Sequence, residues 1–142
     1  MRKFILFLPL FVLNMIGPPF LTSLKAETVL FCQSKLATGF FNEGGTWKQG
    51  RFQEERFTLK FNDEFTKLKG FVAGLDDREM DCSKPYVNYP DEIYCVHLMG
   101  AHETFLYHSK SKRFIASKIT STGWLVDKTD TDVIYAGTCK TF

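Results

Sequence analysis

Four cysteines and a cluster of tyrosines carry most of the chemistry this sequence offers. Cys32, Cys82, Cys95 and Cys139 are an even set with no C-x-x-C spacing. That argues against a zinc site and suits two disulfides in a small exported chain. Of the three pairings, Cys32–Cys139 and Cys82–Cys95 are expected. The first ties the initial β-prone segment to the last; the second closes a local loop, worth about 3 kcal/mol in the chain-entropy account. That loop holds Tyr86, Tyr89 and Tyr94 together with Pro85 and Pro90. Tyrosine supplies large contact area at low entropy cost, and proline plus a disulfide preorganises a loop. Such a loop either presents a recognition surface or folds its rings over the core to seal one end. The expected contact surface is Tyr86, Tyr89 and Tyr94, with Trp47 as a pocket residue.

Other reactive side chains are less ordered. His97, Met99 and His102 lie close in sequence, and His97 and Met99 alternate onto one strand face, a ligand type that suits copper. No acidic or second Met-rich cluster supports them, and an ordinary strand with its following loop is the favoured reading. His102, Glu103, His108 and Lys110 could serve general acid–base chemistry. No G-x-S-x-G, H-E-x-x-H or Cys–His pattern organises them. Oxidised cysteines supply no thiolate. Asp76, Asp77, Glu79 and Asp81 lack the D-x-D-x-D-G spacing of an EF-hand and read as a solvated segment. No catalytic residue, metal ligand or cofactor is therefore assigned, and a secreted hydrolase dependent on His102 or His108 is the least favoured function.

The elements that must position these residues begin after an address. Arg2 and Lys3 precede an apolar run from Phe4 to Ile16; Gly17, Pro18 and Pro19 break it, and Leu24, Lys25 and Ala26 follow. This is the layout of a secretory signal peptide over residues 1–26, with the mature chain starting at Glu27. The full chain is at +2, but Arg2, Lys3 and Lys25 leave with the signal. The remainder is slightly acidic, which removes the electrostatic case for nucleic acid or an anionic membrane as partner. The expected location is the periplasm or the extracellular space, with no stable membrane insertion after cleavage.

Residues 27–142 read as one all-β domain. Thr28 to Phe41 is β-prone and ends at the turn cluster Asn42-Glu43-Gly44-Gly45. Trp47 to Phe61 follows, with Phe57, Leu59 and Phe61 on one face. Phe52 is out of phase with them, which predicts a bulge near Gln53 to Glu55. Phe65 to Ala73 is a hairpin partner, and Leu75 to Cys82 a helical turn or acidic loop. Ile93 to Met99 is a strand with Tyr94, Val96 and Leu98 on its apolar face. Glu103 to His108, Arg113 to Thr120, Gly123 to Asp127 and Val133 to Thr141 complete seven or eight short strands. That spacing suits a small antiparallel sandwich or closed barrel stapled by disulfides, with the phenylalanines of the mature chain as its core.

Gly45-Thr46-Trp47 is similar to the G-x-W signature of lipocalins, and Thr131-Asp132-Val133-Ile134-Tyr135 resembles their T-D-x-Y element. The resemblance covers these residues only, and the second element stands nearer the C-terminus than in that family. It implies a barrel closed at one end by the Trp and holding a small apolar ligand. Two function classes follow: a binding module for a protein or surface partner, and a lipocalin-like carrier of a small apolar ligand.

Overall fold

The structure, a computed structural model, describes residues 26–70, 79–97, 102–119 and 131–141. Residues 1–25 of the proposed signal segment, the acidic residues Asp76 and Asp77, Met99 and the expected strand from Gly123 to Asp127 lie outside them. Nine strands follow one another along the described chain: β1 (Thr28–Glu43), β2 (Thr46–Arg51), β3 (Arg56–Phe61), β4 (Lys67–Gly70), β5 (Glu79–Ser83), β6 (Glu92–His97), β7 (His102–His108), β8 (Arg113–Ile119) and β9 (Thr131–Thr141). Each pairs antiparallel with its sequence neighbour from β3 to β9, and β9 pairs back onto β1. The result is a closed eight-stranded antiparallel barrel in which β2 is one extra strand on the edge of β1.

Closure rests on the length of β1. Its first half pairs with β3, its second half with β2, and its other edge runs along β9 from Leu30–Thr141 to Phe41–Thr131. Two irregularities let one strand serve both halves. The β1–β9 register shifts between Ser34 and Leu36, leaving Lys35 as an extra residue. Opposite it, residues 52–55 separate β2 from β3, where the phase of Phe52 predicts a bulge. The freed backbone groups are satisfied locally. Ser34 N donates to Glu55 O at 2.9 Å, Phe52 N to Ala37 O at 3.0 Å, and Glu55 N to the buried Ser34 Oγ at 2.7 Å. The seam is also close-packed. A Cβ at Gly137 would fall 2.1 Å from Gln33 O, and one at Gly39 1.8 Å from Asp132 O.

Alternation fills the interior. Phe57, Leu59 and Phe61 all point inward from β3. Phe105 and Tyr107 join them from β7, Phe114 from β8 and Tyr135 from β9. Their rings form a chain: Phe57 meets Phe114 edge-on at 5.3 Å, Phe114 stacks on Phe105 at 5.5 Å, Phe105 on Tyr107 at 6.3 Å, and Tyr107 on Phe61 at 6.1 Å. An eight-stranded barrel has an interior just wide enough for side chains to fill.

Three expectations are corrected. The acidic segment around Glu79 and Asp81 is a strand. Its carboxylates lie across from lysines of β4, with Lys67 Nζ 2.6 Å from Asp81 and Lys69 Nζ 3.0 Å from Glu79. Opposite-charge cross-strand pairs support a sheet that hydrophobicity does not announce. The inward face of β6 carries Ile93 and Cys95, and Tyr94 faces out. The Cys82–Cys95 bond sets that phase. Finally, Phe31 and Phe40 leave the core: they alternate outward on β1 and are 41% and 53% exposed.

Both expected disulfides form, each between directly paired residues of adjacent strands: Cys32–Cys139 joins β1 to β9, and Cys82–Cys95 joins β5 to β6. They span 107 and 13 residues of sequence. Loop-closure entropy makes the longer one worth more, about 5 against about 3 kcal/mol. Urea denaturation of the Cys32→Ala/Cys139→Ala and Cys82→Ala/Cys95→Ala pairs is expected to show the first as the less stable by about 2 kcal/mol. Equal losses would mean that the seam gains little from its crosslink.

Candidate functional site

The loop 84–91 leaves the barrel between β5 and β6, at the end where β1 begins and β7 turns into β8. Its base is stapled by Cys82–Cys95. Within it, Tyr89 N donates to Tyr86 O at 3.1 Å and Glu92 N to Tyr89 O at 3.0 Å, so two successive turns set its course. The β7–β8 turn holds it from the side: Ser109 N donates to Asp91 O at 2.8 Å, and Ser109 Oγ lies 3.3 Å from Asp91 Oδ1. That neighbouring turn is itself ordered, because Ser111 N donates to His108 Nδ1 at 3.0 Å and Lys112 N to His108 O at 2.9 Å.

The rings do not fold over the core. Tyr86 and Tyr89 are 56% and 60% exposed and meet edge to face at 6.4 Å. Val87, at the tip between them, is 95% exposed. Tyr94 stands apart from this pair, on the outer face of β6, where it is register-paired with Ser83 and Leu106. Trp47 is half-buried near the tip of the β1–β2 hairpin, paired with Asn42. It therefore lies at the opposite end of the barrel from the tyrosine loop. The structure brings Tyr86 and Tyr89 together and leaves Trp47 outside that group.

The acid–base residues also separate. His102 and Glu103 begin β7, whereas His108 ends it and Lys110 lies in the turn beyond. The strand holds the two pairs about 17 Å apart. Glu103 has a setting that nothing in the sequence signals. It alternates inward, is 3% exposed, and its Oε2 has no hydrogen-bond partner among the described residues. Its register partners are His97 on β6 and Lys118 on β8. The His97 Nδ1 is likewise buried and unpartnered. Sequence reading placed His97 by its neighbours Met99 and His102; only the pairing of β6 with β7 sets it beside Glu103. Among the described residues no group of three or more His, Cys, Asp or Glu side chains gathers to hold a metal.

Two interior phenols are electrostatically perturbed. Burial pushes Tyr107 above its ordinary value, and its hydroxyl has no hydrogen-bond partner. Tyr135 is pushed up to about 12, first by burial and then by the Glu55 carboxylate, which accepts from its hydroxyl at 3.4 Å. No protein-family model matches the chain, and no curated protein matches it. The class that the fold defines is a closed, disulfide-bonded β-barrel.

The Tyr135 contact links the bulge to the interior and makes stability depend on alkaline pH. Folding favours the neutral phenol, so this contribution is fully present below the ordinary value of about 10. It is lost as pH rises through about 12. Stability measured by urea titration from pH 8 to 11.5 is expected to fall, and Tyr135→Phe to make the fall shallower, leaving the share of Tyr107. An unchanged slope in Tyr135→Phe would assign the alkaline loss elsewhere.

Proposed function

We propose that this chain is an exported binding module whose contact surface is the loop carrying Tyr86, Val87 and Tyr89, and whose partner is a protein. One observation carries the reading: two large aromatic rings and a valine are held in solvent by a loop with its own turns, two prolines and a disulfide at its base. Leaving rings in water forfeits their burial energy, about 2 kcal/mol each. Preorganisation returns that energy to a partner without the cost of ordering the loop at the moment of contact. Tyrosine is enriched among the residues that dominate interface energies. Tyr94, 37% exposed on the outer face of β6, stands apart from this pair and is a secondary contact in this reading. Two intramolecular disulfides support a location in an oxidising compartment, and the charged start and apolar run of residues 1–26 support export to the periplasm or beyond the cell.

The test is quantitative capture from the surroundings of the exporting cell, with wild-type and Tyr86→Ala/Tyr89→Ala proteins immobilised side by side. A protein retained by the wild type is expected to bind the double variant at least about a hundredfold more weakly, since each truncated anchor costs about 2 kcal/mol or more. Retention at equal strength by both proteins would sink the loop as the contact surface.

A second reading, a carrier, draws on a different observation: the unpartnered Glu103 Oε2 and His97 Nδ1 inside the other end of the barrel. Buried polar atoms are ordinarily hydrogen-bonded, and a ligand with a polar head would supply the missing partner. Native mass spectrometry separates the two readings. An added mass that leaves on denaturation, and is lost in Glu103→Ala, supports the carrier; a bare monomer in the wild type supports the module.

A further inference from the structure

We propose that this chain pairs with a second copy of itself through the outer faces of β1, β9 and β8. Nine outward positions on these adjacent strands form a grid of three rows. Leu36, Ala136 and Ile115 are register-paired in the first row, and Thr38, Ile134 and Ser117 in the second. Phe40 and Asp132 pair in the third, with Ile119 beside them at the end of β8. Large apolar side chains take the four corners and the centre. Leu36 is 70% exposed, Phe40 53%, Ile115 50%, Ile134 47% and Ile119 46%.

Single apolar residues on a surface are ordinary; five on three adjacent strands form a patch that marks an interaction site. The opposite wall shows how this barrel treats a free face. From β3 to β5 the outward side chains include Arg56, Lys60, Lys67, Lys69, Glu79 and Asp81. In the grid Asp132 is the single charged residue, at the middle of one edge, and Arg51 and Arg113 stand outside it. An apolar centre within a polar rim is the anatomy of a protein interface.

Area, shape and polarity favour a second copy as the occupant. At roughly 200 Å² for a fully exposed large side chain, the five leave about 500 Å² in water. A stable dimer needs about 800 Å² from each partner, and the half-buried Leu106 on β7 and the rim supply the rest. The surface alternates large and small. One hollow of about 230 Å³ lies among Thr38, Phe40, Ile119 and Ile134, and another of about 300 Å³ beside Ile115, Ala136 and Leu106. Alternating knobs and hollows fit themselves when one copy is turned over and moved by half a step, as the self-complementary contact of a two-fold dimer requires.

The centre also makes no polar demand on its partner. The Ser117 hydroxyl is bonded to that of Thr104 at 2.6 Å, and Thr38 Oγ1 donates to Gly50 O at 3.2 Å. Homodimer interfaces are the more apolar kind. Lipid is the other apolar occupant, but a barrel standing in a bilayer carries an apolar band around its whole circumference, and the β3–β5 wall is charged. Tyr86 and Tyr89 lie outside the grid, so a dimer presents two tyrosine loops, and a partner with repeated sites is held by both.

The experiment is sedimentation equilibrium of the full chain, produced with its own N-terminal segment. A reversible dimer is expected, with a Kd at or below about 10 μM. Ile134→Lys sets an ammonium at the centre of both faces and is expected to weaken the dimer at least about a hundredfold. Ile115→Ala/Ile134→Ala adds no charge and is expected to weaken it about tenfold. Thr58→Lys, on the opposite wall, is expected to leave the Kd unchanged. These positions face outward, where substitutions change stability little. Thermal midpoints check folding, and the alanine pair decides the matter if the lysine variant fails to fold. A wild type that stays monomeric at about 200 μM would overturn the proposal. A dimer that both grid variants retain at full strength uses another surface and would overturn it too. Co-flotation of a monomeric wild type with phosphatidylcholine vesicles would overturn it in favour of lipid.

Discussion

The pairing of the first strand with the last is the constraint on which the rest of this molecule depends. A sheet of this size either exposes two edges or closes, and closure alone removes edges. Here β1 has to pair with β9 along one side and with both β2 and β3 along the other. A regular strand could not keep its apolar face inward over that length while the barrel curves. The extra residue at Lys35 and the interruption at 52–55 bend the seam at one level, and the buried Ser34 satisfies the backbone groups that the bend frees. Bulges are the ordinary means of turning a strand at a barrel corner. The Cys32–Cys139 bond then fixes two strands whose sequence separation makes their meeting the most costly contact in entropy.

With the seam closed, the interior is filled from all sides by large rings. Phe57, Phe61, Phe105, Tyr107, Phe114 and Tyr135 are all buried. This concentrates packing energy in the middle and toward the end where the chain begins. Toward the other end the inward positions become polar, with His97, Glu103 and Lys118 on successive strands. Polar interior groups weaken a core unless they are satisfied. The barrel is therefore asymmetric along its axis, filled with rings at one level and lined by polar groups at another.

Local pattern carried part of this into the sequence and missed the rest for identifiable reasons. The alternation of Phe57, Leu59 and Phe61 and the misfit of Phe52 are local facts, and they gave the strand and the interruption before it, whereas the bulge itself lies in β1 at Lys35. Four cysteines in a small chain with no metal spacing gave the crosslinks. The strand β5 was hidden because its solvent face is acidic and its partners, Lys67 and Lys69, lie on another strand. The phase of β6 was misread because Tyr94 is apolar enough to pass for a core residue. Of the proposed binding residues, Tyr86 and Tyr89 are neighbours in sequence and in space. His97 and Glu103 come together only through the pairing of β6 with β7, which no single segment records.

The same closure explains why so much aromatic surface stands outside. An eight-stranded interior has a fixed capacity, and six rings already occupy it, five of them joined in a chain of ring contacts. A further ring on these strands has to point outward or leave the sheet in a loop. Phe31, Phe40, Tyr86 and Tyr89 do so, and each exposed ring is a cost unless something covers it. Where such rings are scattered singly they carry no message. Here Tyr86 and Tyr89 are coupled edge to face on a loop held by its own turns. That arrangement has its own hydrogen bonds and adds nothing to the core. A barrel filled in this way holds its packing inside and leaves Tyr86, Val87 and Tyr89 exposed at its rim.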